Sequence, residues 1–104
     1  MSIWSEFREM YRKALSYEER TDKMLVTYDI EKKKIKIYIE EYEGGYDGCG
    51  NSPYYWSWIG SIDNCSLLAF VQVFEMYQYN QYEFNVKDGM KITFKVEGDR
   101  CEIF

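Results

Sequence analysis

The carboxylates Glu40, Glu41, Glu43 and Asp47 lie close together in the sequence, followed by two thiols, Cys49 and Cys65. Side chains of these types can share acid–base work, attack a carbonyl or hold a metal. The chain lacks what each of those chemistries also needs. None of its 104 residues is histidine, so the commonest proton carrier near neutral pH, the usual base of a serine or cysteine nucleophile and the commonest transition-metal ligand are all missing. Glu40 and Glu41 point to opposite faces of a strand and cannot act as a couple. Glu41 and Glu43 share a face, but sugar hydrolysis would also need a groove and separated pKa values, and solvated strand-end charge is the simpler role. Cys49 has no base beside it. Zinc would normally take four Cys or His ligands, and only Cys49, Cys65 and Cys101 are present. Three free thiols are the expectation, although a Cys49–Cys65 disulfide would close a short loop in an oxidising setting.

The glycines of GGYDGCGNS, from Gly44, lack the lysine and following hydroxyl of a phosphate loop. Asp47, Gly48, Gly50 and Asn51 lack the alternating oxygen ligands and closing glutamate of a calcium loop. No metal and no cofactor is expected, and a non-enzyme is the better reading.

The same region is unusual for its charge and its rings. Residues 37–86 hold seven carboxylates and no lysine or arginine, whereas the rest of the chain holds 13 cations and 11 carboxylates. Tyr46, Tyr54, Tyr55, Trp56 and Trp58 fall within thirteen residues, beside Pro53 and five of the seven glycines. A connection of about sixteen residues, 44–60, is long for a compact domain and points to function. For about half of these rings the alternative is a lid, with Tyr55 and one indole folded onto the core. The remainder would be exposed tyrosine or tryptophan, the types that dominate binding hot spots.

The elements that must position these residues follow from hydrophobic spacing. Ile3, Phe7, Met10 and Ala14, with Trp4, Tyr11 and Leu15, make one helical face, capped by Ser2 and carrying a Glu9–Lys13 pair on its wet side. Met24, Val26, Tyr28 and Ile30 alternate, as do Ile35, Ile37 and Ile39, predicting a hairpin with Ile30 opposite Ile35, Tyr28 opposite Ile37 and Asp29 opposite Lys36. Residues 61 to about 79 read as a helix capped by Ser61 or Asp63, burying Leu67, Phe70, Val71, Phe74 and Tyr77. Tyr54 to Ile59 can add a short strand. Tyr82, Phe84 and Val86, then Met90 to Val96, then Cys101 to Ile103 predict a three-stranded meander with Cys101 pointing inward. The expected fold is a single α+β domain over 1–104: an antiparallel sheet of about five strands, hairpin plus meander, against two helices in the order αββαβββ.

A net charge of −5 disfavours direct binding to nucleic acid or to an anionic membrane surface. No apolar run approaches the roughly 20 residues of a bilayer span, and no secretory signal is visible, so a cytoplasmic location is expected. A cation-free, aromatic centre fits a basic protein surface, which among cytoplasmic proteins most often handles nucleic acid. In size, charge and its tyrosine-rich acidic segment, the chain resembles in general build the small acidic inhibitors that phages direct against bacterial defence, anti-CRISPR proteins among them. It also resembles the immunity proteins that neutralise nuclease toxins. The acidic, aromatic pattern itself points to a non-catalytic inhibitor, monomeric or weakly dimeric, binding through Glu40, Glu41, Glu43, Tyr46, Asp47, Tyr54, Tyr55, Trp56 and Trp58. A small-ligand pocket walled by the 44–60 loop is the alternative from a different class.

Overall fold

A computed structural model describes residues 2–42, 53–85 and 90–97. Within them the order is α1 (Ile3–Leu15), β1 (Arg20–Asp29), β2 (Lys34–Tyr42), β3 (Tyr54–Ile62), α2 (Leu67–Tyr79), α3 (Gln81–Asn85) and β4 (Lys91–Glu97). The strands form one four-stranded mixed sheet in the order β3-β2-β1-β4, antiparallel except for β1 beside β4. The fold is α+β as expected. Its order and its parallel pair are not.

The Ser2 hydroxyl caps α1 by accepting the Ser5 N–H at 3.1 Å. Phe7, Tyr11 and Ala14 are buried, with Ile3, Trp4, Met10 and Leu15 packed beside them. Lys13 does not pair with Glu9; its ammonium donates to the Ile59 carbonyl at 2.6 Å and ties α1 to β3.

The β1–β2 hairpin forms with the expected faces and a register two residues away from the expected one. Tyr28 pairs with Ile35, Val26 with Ile37 and Met24 with Ile39, while Asp29 meets Lys34 and Lys36 meets Thr27. Turn chemistry decides this. Asp29 Oδ1 accepts the Lys32 N–H at 3.1 Å and Lys33 takes a positive φ of 50°, so the four-residue turn begins at Ile30, which is exposed rather than core. A shift of two preserves side-chain parity, and for that reason the buried face survives.

The second half departs further. Ser61 and Ile62 belong to β3, opposite Lys36 and Ile35, and α2 starts later, capped by the Ser66 hydroxyl on the Ala69 N–H at 3.1 Å. Phe70, Val73 and Tyr77 are its buried residues, whereas Leu67 and Val71 are exposed. Gln81–Asn85 is helix rather than strand. Five residues cannot distinguish the two by period, and contacts with α1 decide: Phe84 packs edge-on against Tyr11, Trp4 and Tyr77, the Tyr11 hydroxyl donates to the Phe84 carbonyl, and Arg8 pairs with Glu83. The helices occupy the stretch that a meander would have used as strand, and β4 therefore enters beside β1 and parallel to it. The expected last strand, with Cys101, and the turn before it lie outside the described residues.

All three helices pack on one sheet face. Tyr28 stacks on Phe70 at 5.2 Å, and Phe94 meets Phe7, Phe70, Phe74 and Tyr77 at 5.1–6.1 Å. Met24, Val26, Ile35, Ile37 and Ile39 complete this core. Among the described residues no helix is long and apolar enough to cross a membrane.

Candidate functional site at the β2–β3 end of the sheet

The sheet face opposite the helices carries the candidate site, and a single irregularity puts it there. Counting back by twos from core residue Ile62 would place Trp58 and Trp56 on the helix side. An extra residue interrupts the count: Ile37 pairs with Gly60 but Tyr38 pairs with Trp58, leaving Ile59 as a bulge buried in the core. Parity flips beyond it. Trp58, Trp56 and Tyr54 thus face outward opposite Tyr38, Glu40 and Tyr42.

The two tyrosines Tyr42 and Tyr54 lie 5.3 Å apart with rings tilted by 53°. Trp58 is 61% exposed. Trp56 is half-buried, and its indole N–H, though shielded from water, meets no acceptor among the described residues. An orphan donor of this kind costs about 1–3 kcal/mol. Glu40 is half-buried beside it and accepts the Thr21 hydroxyl at 2.9 Å, which fixes its carboxylate. Glu41 lies on the other face, between Tyr55 and Arg20, and makes no salt bridge among the described residues. Arg20 instead donates to the Leu15 and Thr21 carbonyls at 3.4 and 3.2 Å.

Of the residues singled out in the sequence, Glu40, Glu41, Tyr54, Tyr55, Trp56 and Trp58 gather at this end of the sheet. Glu43, Tyr46 and Asp47 lie outside the described residues. The lid arrangement is not adopted, because neither tryptophan nor Tyr55 belongs to the helix-side core and Tyr55 is exposed. Tyr42 and Tyr38 were missed. Their even parity on β2 with Glu40 was the available signal.

The lysines also were missed as neighbours. Lys36 lies across from Thr27, and the parallel strand sets Lys95 against Thr27 and Lys91 against Lys23. One sheet face thus carries aromatics on β2–β3 and lysines toward β1–β4. The two margins are about 14 Å apart, three strand spacings. The cation-free interval of the sequence is not cation-free surroundings in space.

Cys65 offers no nucleophile. It is fully buried, and burial pushes its thiol above its ordinary value, with Glu6 adding to the shift. Its backbone is structural: the Cys65 N–H donates to the Lys33 carbonyl at 2.9 Å, and its carbonyl accepts the Tyr28 hydroxyl at 2.7 Å. Among the described residues no three Cys, His, Asp or Glu side chains converge as metal ligands. No family model matches the chain, and neither a curated protein nor a solved structure is found similar to it.

Proposed function

We propose that the chain is a non-catalytic protein-binding module that docks through the β2–β3 end of its sheet and inhibits by covering a basic surface of its partner. One observation carries this reading: the bulge at Ile59 turns a tryptophan pair outward next to a fixed carboxylate, with Tyr42 and Tyr54 extending the patch. Exposed aromatics of limited rotamer freedom supply buried area at small entropy cost.

Charge supports a basic partner and also limits how it sits. β3 has no charged residue, and Glu40 and Glu41 are the charges of β2 nearest to it along the exposed end. A basic surface laid squarely on the sheet would meet Lys23, Lys36, Lys91 and Lys95, so the footprint is offset toward the β3 margin. A nucleic-acid-handling protein is the partner class this favours, and the phage anti-defence inhibitor is the biological setting proposed for it. The immunity-protein setting makes the same physical demands.

The test is capture from host lysate with wild-type chain, Trp58→Ala, and Glu40→Gln/Glu41→Gln. Proteins retained by wild type and lost with Trp58→Ala are then measured for binding kinetics. Neutralising the carboxylates should slow association and flatten its salt dependence, while Trp58→Ala should mainly speed dissociation. If neither variant changes binding to any captured protein, the site is wrongly placed.

A further inference from the structure

Helix α2 is apolar around nearly its whole circumference, which is unusual for a surface helix. Phe70, Val73 and Tyr77 are buried against the sheet, as Phe74 is in part. The outward seam is Leu68, Gln72, Glu75 and Tyr79, flanked by Val71 and Met76, and all six are exposed. Leu68 is 69% exposed and Tyr79 87%. Glu75 is the single charge of the helix.

We propose that this face binds α2 of a second copy of the chain, antiparallel across a two-fold axis. At 3.6 residues per turn, the seam is symmetric about a point between Val73 and Phe74. Placing the axis there sets Leu68 against Tyr79 of the partner copy and Gln72 beside its Glu75, while Val71 and Met76 each line one flank with their own counterparts. Each apolar residue meets an apolar one. The lone carboxylate meets an amide that can donate to it. A self-complementary pattern is what an isologous contact requires.

The surroundings fit the same arrangement. A groove of about 430 Å³ runs between α2 and the start of α1, lined by Ile3, Trp4, Ala69, Met76 and Tyr79 among others. The partner's Leu68 lies at its mouth in this register. Tyr79 and the seam's aliphatic residues, with exposed Leu67 and Tyr82 at the ends, offer on the order of 600 Å² per copy, near the lower limit for a specific interface. The dimer is therefore weak, forming at roughly tens to hundreds of micromolar. It uses the helix side of the sheet and leaves both β2–β3 ends open, so it does not rest on the docking proposal above.

Sedimentation of the full chain over roughly 5–500 µM tests this, since that range spans the expected dissociation constant. The mass should rise from 12.6 kDa toward twice that value. Salt should tighten the dimer by screening the repulsion of two −5 chains, opposite to its effect on docking to a basic partner. Leu68→Glu should leave a single chain with unchanged circular dichroism, and Tyr79→Ser serves if that variant misfolds. Register is tested by Gln72→Lys, which places an ammonium against the partner's Glu75 and should tighten the dimer severalfold, while Gln72→Glu should weaken it comparably. Gln78→Lys makes the same charge change off the seam and should do much less. A single-chain mass at every concentration and salt overturns the proposal. So does a dimer indifferent to Leu68→Glu and Tyr79→Ser, or one that Gln78→Lys tightens as much as Gln72→Lys.

Discussion

Trp58→Ala should be well tolerated by the fold, and the margin can be worked out. With 61% of the residue exposed, about two-fifths of its surface is covered. For an aromatic side chain that buries 150–250 Å² when enclosed, this is on the order of 80 Å². At roughly 25 cal/mol per Å² the loss is at most about 2 kcal/mol, an upper bound because unfolded chains already bury some apolar surface. No closed cavity is left, since the site opens to solvent. The cavity contribution that carries enclosed Phe or Trp to Ala losses to about 3–5 kcal/mol is absent. Ile37→Ala is the internal comparison, because Ile37 is fully buried on the helix side and should lose about 2–5 kcal/mol. Urea unfolding followed by far-UV circular dichroism measures both, and acrylamide quenching should show that Trp58→Ala removes the most accessible indole. A Trp58→Ala loss equal to that of Ile37→Ala, or above about 3 kcal/mol, would refute the outward placement and remove the anchor of the proposed binding surface.

Tyr28→Phe leaves the buried Cys65 carbonyl without its hydroxyl donor and should lower stability by about 1–3 kcal/mol, read by the same denaturant assay. Burial raises both the Tyr28 phenol and the Cys65 thiol above their ordinary values of 10.0 and 9.0, so the unfolded chain loses these protons first as pH rises. Stability should accordingly be undiminished by these groups below about pH 9 and fall through the alkaline range above it, less steeply in Tyr28→Phe; a flat alkaline profile contradicts this. A Cβ at Gly60 would lie 2.7 Å from Met10 Sδ and 2.8 Å from its Cε. Gly60→Ala should cost about 1 kcal/mol, relieved in a Met10→Ala background, and a double-mutant cycle that is additive would exclude the contact as the cause.

Much of the fold was legible because it depends on parity alone. The alternation Met24, Val26, Tyr28 and Ile35, Ile37, Ile39 selected the buried face, and a two-residue error in register could not spoil it. Register itself depended on Asp29 accepting the Lys32 N–H and on Lys33 entering a left-handed conformation, which spacing does not reveal. Gln81–Asn85 was misread because five residues fit either period, and contacts with α1 made 75 residues earlier chose the helix. That choice in turn made β4 parallel to β1 and brought Lys91 and Lys95 onto the face that sequence order had kept free of cations. The candidate site was visible as a cluster of rings and carboxylates. Its outward direction was not, since it follows from one bulge, and a bulge at Ile59 leaves no mark in composition.

If the β2–β3 end meets the partner, an amide-exchange footprint of the complex shows it directly. Exchange is compared for the free chain and for its complex with a protein captured by wild type but not by Trp58→Ala. Protection should concentrate at Glu40–Tyr42 and along Tyr54–Ile62, leaving Leu67–Tyr79 unchanged at concentrations below dimerisation. Protection confined to Leu67–Tyr79, or absent from Tyr54–Ile62, would contradict it.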